Sequence, residues 1–209
     1  MEKTKLITLF KDFIPHDAVH DAIDLILKYN ISIKITRSRK TKLGDYSFYR
    51  NQKTGIITIN HDLSPEQFLL TLLHEMAHHI TRLQYGDKIT PHGKEWKQEI
   101  RKLLLPFYSN NVFPVFMLEP LKKYLQKPTA TMAASPDLYK ALREIDHKKR
   151  NINPKMLLDD LKFDEFFSFE NKGVFKKIKK RRSRIVCLSM TNQRLYLFYP
   201  FVEITLEDK

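Results

Sequence analysis

The segment LLHEMAHHI, residues 72–80, places three histidines and one glutamate in an otherwise apolar stretch. A helix turns by about 100° per residue, so His74 and His78 lie on one face, one turn apart. Two neutral imidazoles at this spacing can bind the same zinc ion at about 2.0–2.1 Å. Glu75 projects at a different angle, from which it can act on a metal-activated water as general base and then as general acid. The H-E-x-x-H motif therefore predicts a hydrolytic zinc centre.

Local signals place this motif on a well-defined helix. Ser64 is suited to the N-cap, Pro65 to the first helical position, and Gly86 to the end of a helix that closes near Tyr85. Apolar side chains recur on the side opposite His74 and His78, namely Leu69, Leu72, Met76, Ile80 and Leu83. One face should pack on a sheet while the other presents the imidazoles. His79 points about 100° away from His78, and we expect it to make a surface contact or an outer contact to the site.

A catalytic zinc needs a third protein ligand and one open position. The extension H-E-x-x-H-x-x-G-x-x-H is absent, because Thr81 and Gln84 occupy its glycine and histidine positions. Glu95 or Glu99 of the following helix could supply the ligand. His92 is the favoured candidate because the loop before it contains Gly86 and can bend back toward the motif helix. A third imidazole would also leave the site positively charged and its water acidic.

The stretch LLHEMAHHITRLQYGDKITPHGKEW resembles the SprT-like (SprT/Spartan-type) zinc metallopeptidases, whose H-E-x-x-H is followed after a loop by H-G-x-E-[FW]. GDYSFYRNQKTGIITIN is similar to the strand pair that precedes the active helix in that family. Over roughly residues 10–125, the resemblance implies a zincin-like peptidase fold, one zinc ion on His74, His78 and His92, and Glu75 as catalytic acid and base. It also implies a role like that of the eukaryotic relatives, which cleave proteins crosslinked to DNA.

One departure from the family concerns cysteine. Many SprT-like proteins have a Cys-rich zinc ribbon after the peptidase domain, whereas this chain has a single cysteine, Cys187. A lone thiol excludes an intrachain disulfide and a cysteine-based structural zinc site. We expect Cys187 to be a small buried apolar residue.

The charge balance favours a polyanionic partner. Thirty-seven Lys and Arg face 24 Asp and Glu, for a formal net charge of +13. Such a surplus is typical of proteins that bind nucleic acid. Two basic runs are the candidate DNA-binding residues: Arg37, Arg39 and Lys40 near the sheet, and Lys176, Lys177, Lys179, Lys180, Arg181, Arg182 and Arg184 in the tail. The alternative for both runs is a solvated surface or, for the tail, a localisation signal.

The pattern of elements predicts an α+β protein. Helical spacing covers residues 10–29 and 94–105, and alternating β-branched segments predict a three-stranded sheet from ISIKIT, DYSFYR and GIITIN. We predict a peptidase domain at 1–125, a linker at 126–136 (QKPTATMAASP) and a small basic β-rich module at 137–209. No apolar run is long enough for a signal peptide or a bilayer span, so we expect a soluble, cytoplasmic protein that associates with the nucleoid or with DNA.

Three functions remain open from the residues alone. The first is a zinc endopeptidase that acts on DNA-associated proteins. The second is a nucleic-acid-binding protein in which the zinc is structural and no proteolysis occurs. The third is a zinc hydrolase with a non-peptide substrate, which H-E-x-x-H does not exclude.

Overall fold

The computed structural model describes residues 2–39, 41–49, 54–109, 111–150 and 155–207. The chain divides into two compact units, Met1–Arg150 and Asn151–Lys209. The first unit mixes helices with a small sheet, and the second is built on a β-sheet, so the mixed helix-and-sheet class with a separate β-region is confirmed. Among the described residues, no helix is both long and apolar enough to cross a bilayer.

The first unit places a small sheet among helices. In chain order its elements are α1 (Glu2–Phe10), α2 (Val19–Lys28), β1 (Ile31–Thr36), β2 (Gly44–Tyr49), β3 (Thr54–Asn60), α3 (Pro65–Tyr85), α4 (Lys94–Leu104), α5 (Val115–Gln126) and α6 (Pro136–Arg150).

The three-stranded sheet has the order β1-β3-β2. β3 lies in the middle, parallel to β1 and antiparallel to β2, which leaves β2 at an edge. Ile57 and Ile59 of β3 are fully buried, since alternate residues of the central strand face the helices. The predicted strands are therefore present, whereas Arg50 at the end of DYSFYR and residues 51–53 of the predicted NQKTG turn lie outside the described residues.

Helix α3 has the boundaries that its local signals predict. The Ser64 hydroxyl accepts a hydrogen bond from the Gln67 backbone N–H at 3.4 Å, and Pro65 opens the helix. Gly86 follows the last residue with φ 84°, a left-handed conformation that costs glycine little. Four of the five predicted apolar positions, Leu69, Leu72, Met76 and Ile80, are buried. Leu83 is exposed because it lies in the last turn, beyond the packed part of the helix.

The helix predicted over residues 10–29 is interrupted. α1 ends at Phe10, a 3₁₀ turn covers His16–Ala18, and α2 starts at Val19. Pro15 has an extended conformation, φ −50° and ψ 134°, and a proline at this point cannot continue the hydrogen-bond ladder.

The boundary between the two units lies at residue 150 and not within the predicted linker 126–136. The reason is α6, whose Leu138, Ala141 and Leu142 are buried in the core of the first unit. The small residues of 126–136 form a short connection between α5 and α6 that includes a 3₁₀ turn, Met132–Ala134.

The second unit is a six-stranded sheet of order β4-β9-β5-β6-β7-β8. The strands are β4 (Met156–Leu157), β5 (Phe166–Ser168), β6 (Val174–Arg181), β7 (Arg184–Ser189), β8 (Leu195–Phe198) and β9 (Glu203–Glu207). Its core contains Phe167, Phe175, Ile185 and Cys187. Burial raises the pKa of the Cys187 thiol to about 12, which agrees with the predicted role as a buried apolar residue.

Candidate metal centre

Three histidines from two places in the chain meet above α3. His74 and His78 are one turn apart on that helix, and His92 arrives from the loop that links α3 to α4. The Nε2 atom of His92 lies 2.9 Å from Nε2 of His78 and 3.2 Å from Nε2 of His74. Potential ligand atoms of all three residues lie within 4.8 Å of one another.

The donor set fits a tetrahedral divalent ion. Two bonds of about 2.0–2.1 Å at a tetrahedral angle hold nitrogen atoms about 3.3 Å apart, close to the separations seen here. Three neutral imidazoles whose Nε2 atoms face one another cannot satisfy each other by hydrogen bonds alone, because each ring has either a lone pair or a proton at that atom. A shared cation removes this conflict.

The backbone of His92 adopts a strained conformation, which places its side chain in this cluster. His92 has φ 58°, a left-handed conformation that a non-glycine residue seldom adopts. Gly93 follows as the N-cap of α4, and its N–H donates to the Thr90 carbonyl at 3.0 Å. A Cβ on Gly93 would come within 2.9 Å of that carbonyl oxygen. Strained residues of this kind concentrate at functional sites.

Trp96 packs against all three imidazoles. Its ring centroid lies 4.8 Å from those of His74 and His92 and 5.5 Å from that of His78. The indole N–H donates to the His74 carbonyl at 3.4 Å, and the side chain is buried. Trp96 therefore fixes the orientation of the rings and excludes water from one side of the cluster.

Burial keeps the three histidines neutral, which is the form that binds a metal. The pKa of His74 falls to about 3, first through burial and then through His78 and His92. The pKa of His78 falls to about 4 through burial and then through His92. Burial also lowers the pKa of His92.

Glu75 is a mostly buried carboxyl next to this cluster in the chain. Burial, and after it the nearby Asp45, raise its pKa to about 7, against smaller opposite effects of Lys42 and Arg39. The backbone N–H of Tyr46 in β2 faces the carboxylate and has a small lowering effect on this pKa. A group with a pKa near neutrality can both take up and release a proton at physiological pH.

Neither alternative ligand belongs to the cluster. Glu95 lies in the first turn of α4, with its carboxylate close to Gly93. Glu99 is buried and forms an ion pair with Lys102 at 2.6 Å. Among the described residues, the grouping suited to a metal is His74, His78 and His92.

His79 is not at the surface, contrary to one of the two roles expected for it. Its side chain is 0% exposed and lies between α3 and β2. Nε2 lies 2.9 Å from the Tyr29 carbonyl oxygen, and Nδ1 lies 3.1 Å from the Tyr46 hydroxyl. Burial lowers the pKa of His79 and raises that of Tyr46 to about 12, so both groups are neutral.

Sequence reasoning did not identify Gly44 and Tyr46 as part of this environment. A Cβ on Gly44 would lie 2.5 Å from Thr71 Cγ2 and 3.2 Å from Glu75 Oε1, so glycine is needed for β2 to approach α3. The available signal was a glycine in a strand shortly before the motif helix, since such glycines often mark close backbone approach.

The basic residues of the tail lie on one hairpin. β6 pairs with β7 in antiparallel register, with Arg181 opposite Arg184 at the turn. The exposed members are Lys179, Lys180, Arg181 and Arg182, and Lys176 and Arg184 are half-buried. Lys176 and Lys180 form ion pairs with Asp164 and Asp159, each at 2.7 Å. The Arg184 guanidinium lies over the Tyr199 ring, 3.3 Å from its centroid.

Lys177 is a correction to the predicted DNA-binding set. It is only 3% exposed, and its ammonium donates to the carbonyl oxygens of Leu158 at 2.8 Å, Asp159 at 3.1 Å and Leu161. Burial lowers its pKa. Its charge is therefore used inside the second unit to hold a loop, and it cannot reach a phosphate.

The predicted DNA-binding residues near the sheet, Arg37, Arg39 and Lys40, differ in what the structure shows for them. Arg37 is exposed. Arg39 is committed to the protein, because its guanidinium donates to the Asn60 and Thr58 side chains at 2.8 and 2.9 Å. This internal role argues against Arg39 as a nucleic-acid contact. Lys40 lies outside the described residues.

Comparison with known proteins finds similarity to SprT-like proteins. Residues 16–111 match the family model described as the SprT-like family. Protein SprT from Pseudomonas fluorescens (strain Pf0-1) is 36% identical over 63 residues, which cover 25% of this chain and 38% of that protein. The chain thus spans well under half of the length of this relative. No solved structure matches the chain at a significant level.

Proposed function

We propose that the protein is a zinc-dependent metalloendopeptidase, since residues 16–111 match the SprT-like family model. The observation that supports this most is the convergence of three imidazole Nε2 atoms, contributed by His74, His78 and His92. Glu75, beside them in the chain, has the protonation behaviour that peptide hydrolysis requires.

The proposed chemistry divides between the ion and the chain. Zinc held by the three histidines would supply Lewis acidity to a peptide carbonyl and acidify water. The Glu75 carboxylate takes a proton from the attacking water as its oxygen bonds to the carbonyl carbon. The same group then delivers that proton to the leaving nitrogen as the C–N bond breaks. Trp96 maintains the orientation of the imidazoles through this cycle.

Metal removal tests the proposed activity. We expect the zinc-loaded protein to cleave an unfolded protein such as casein, with and without added DNA. Dialysis against a chelator should abolish cleavage, and one equivalent of zinc should restore it, because the histidines alone provide no electrophile. Stoichiometric zinc without cleavage of any protein substrate would contradict the proposal and would favour a structural metal site.

We further propose that the substrates are proteins associated with DNA. Support comes from the net charge of +13 and from the four exposed cations on the β6–β7 hairpin. Arg184 stacked on Tyr199 adds an aromatic surface next to these cations. Cations of this kind contact phosphates without regard to sequence, and aromatic faces accept bases by stacking. Binding to DNA would bring the peptidase close to its substrates.

The salt dependence of DNA binding tests the hairpin. Replacing Lys179, Arg181 and Arg182 by glutamine should weaken binding and reduce the slope of log K against log salt concentration by about 2–3, since each lost phosphate contact removes about 0.7–0.9. The matched control replaces three exposed lysines elsewhere by glutamine, namely Lys11, Lys122 and Lys127. Equal slopes for the hairpin variant and the wild type would mean that the hairpin is only a solvated surface.

A further inference from the structure

Tyr46 connects two side chains of α3 through two different groups. Its hydroxyl lies 3.1 Å from Nδ1 of His79, and its backbone N–H faces the Glu75 carboxylate, which lies so close to β2 that a Cβ on Gly44 would be 3.2 Å from Glu75 Oε1. Because β2 is an edge strand, one side of its backbone has no strand partner in the three-stranded sheet. The Tyr46 N–H can therefore face α3, the helix that contains H-E-x-x-H.

The contacts of His79 determine its tautomer. Nε2 faces the Tyr29 carbonyl oxygen at 2.9 Å, and a carbonyl can only accept, so Nε2 must hold the proton. Nδ1 of a neutral ring then accepts from the Tyr46 hydroxyl. The result is a directed chain in which Tyr46 donates to His79 and His79 donates to Tyr29, at the end of α2. His79 has no group left for a metal.

Packing leaves little freedom for this chain of hydrogen bonds. The His79 ring lies 5.5 Å from the ring of Tyr46 and 6.1 Å from that of Phe48, centroid to centroid. A Cβ on Gly55 of β3 would come within 2.5 Å of His79 Nδ1, so the imidazole rests directly on the β3 backbone. The position of β2 against α3 is therefore set at His79, one turn of helix after Glu75.

We propose that Tyr46 and His79 form a positioning pair, which fixes the β2 backbone N–H that orients the Glu75 carboxylate. Neither residue touches the three imidazole Nε2 atoms, so the pair acts on the acid-base group and leaves metal binding unchanged. This inference rests on the proposed peptidase function for its catalytic consequence. The placement of the Tyr46 N–H can be measured without any activity.

The kinetic test uses Tyr46→Phe, which removes one hydroxyl and keeps the ring. We expect kcat for peptide hydrolysis to fall about fivefold to tenfold, as for loss of one buried hydrogen bond that orients a reacting group. KM and bound zinc should remain at wild-type values. Tyr49→Phe is the matched control, because Tyr49 lies on the same strand and is 57% exposed. It should leave all three quantities unchanged.

A double-variant test separates this role from a general loss of stability. His79→Gln can still donate to Tyr29 but offers no ring nitrogen to Tyr46, so it should resemble Tyr46→Phe. The double variant should have about the same kcat as either single variant, because the pair acts as one unit. Multiplied effects, lost zinc, or a wild-type kcat in Tyr46→Phe would each overturn the proposal.

Amide hydrogen exchange provides the readout that does not depend on activity. Exchange of the Tyr46 N–H should be slow in the wild type and about tenfold faster in Tyr46→Phe and His79→Gln, because a looser β2 opens more often. Unchanged exchange would refute the positioning pair even for an active peptidase. Conversely, accelerated exchange in a protein that cleaves no peptide would support the pair and refute the proposed function.

Discussion

Replacing Glu75 by glutamine is expected to lower kcat for peptide hydrolysis by about 10²–10⁴-fold, the range that general acid-base groups contribute. Glutamine has nearly the same size, and its amide oxygen can still face the Tyr46 backbone N–H. It cannot take a proton from water near neutral pH. Zinc content, measured by plasma emission spectrometry, should be unchanged because the three histidines remain.

A control on an exposed glutamate distinguishes this effect from a change of net charge. Glu119→Gln, on the surface of α5, changes the charge by the same amount and should retain wild-type turnover. Proteolysis by Glu75→Gln at the wild-type rate would show that another group moves the proton. Loss of zinc from Glu75→Gln would show that Glu75 acts on the metal site itself.

Replacing His92 by alanine is expected to weaken zinc binding by more than the roughly 10- to 100-fold that loss of an outer hydrogen-bond partner costs at metal sites. Two imidazoles would remain on α3, too few for a closed set of protein ligands. Competition with a chromophoric chelator measures the affinity, and peptide hydrolysis should disappear at zinc concentrations that saturate the wild type.

His20→Ala is the matched control for the affinity measurement, because His20 is an exposed histidine on α2. Its zinc affinity should equal that of the wild type. An unchanged affinity in His92→Ala would exclude His92 as a ligand. The folded state should tolerate the His92 substitution because the residue lies in a loop. Its left-handed backbone costs folding free energy and does not contribute to stability.

The sequence was informative wherever the determinants are local. Ser64, Pro65 and Gly86 define α3 through groups within one turn of each end, so its boundaries could be predicted. The pairing of His74 with His78 follows from helical geometry alone. The position of His92 depends on the conformation of the loop between α3 and α4, which helical geometry does not determine. In the structure, His92 lies beside the two histidines of α3.

Features that depend on distant packing could not be predicted in the same way. Lys177 belongs to a basic run that is typical of a solvated strand, yet its ammonium binds carbonyls 16 to 19 residues earlier in the chain. His79 is buried because Tyr29, Tyr46 and Gly55 surround it, and these residues lie well apart in sequence. The continuation of the first unit through α6 likewise depends on contacts with α5.

Zinc K-edge X-ray absorption spectroscopy of the purified full-length protein tests the central claim most directly. We predict one zinc ion per chain, with three imidazole nitrogens at about 2.0–2.1 Å and one further light-atom ligand from solvent. His92→Ala should lose one imidazole from that shell at a zinc concentration high enough to load it. A shell with fewer than three imidazoles in the wild type, or no zinc retained after loading, would contradict the account.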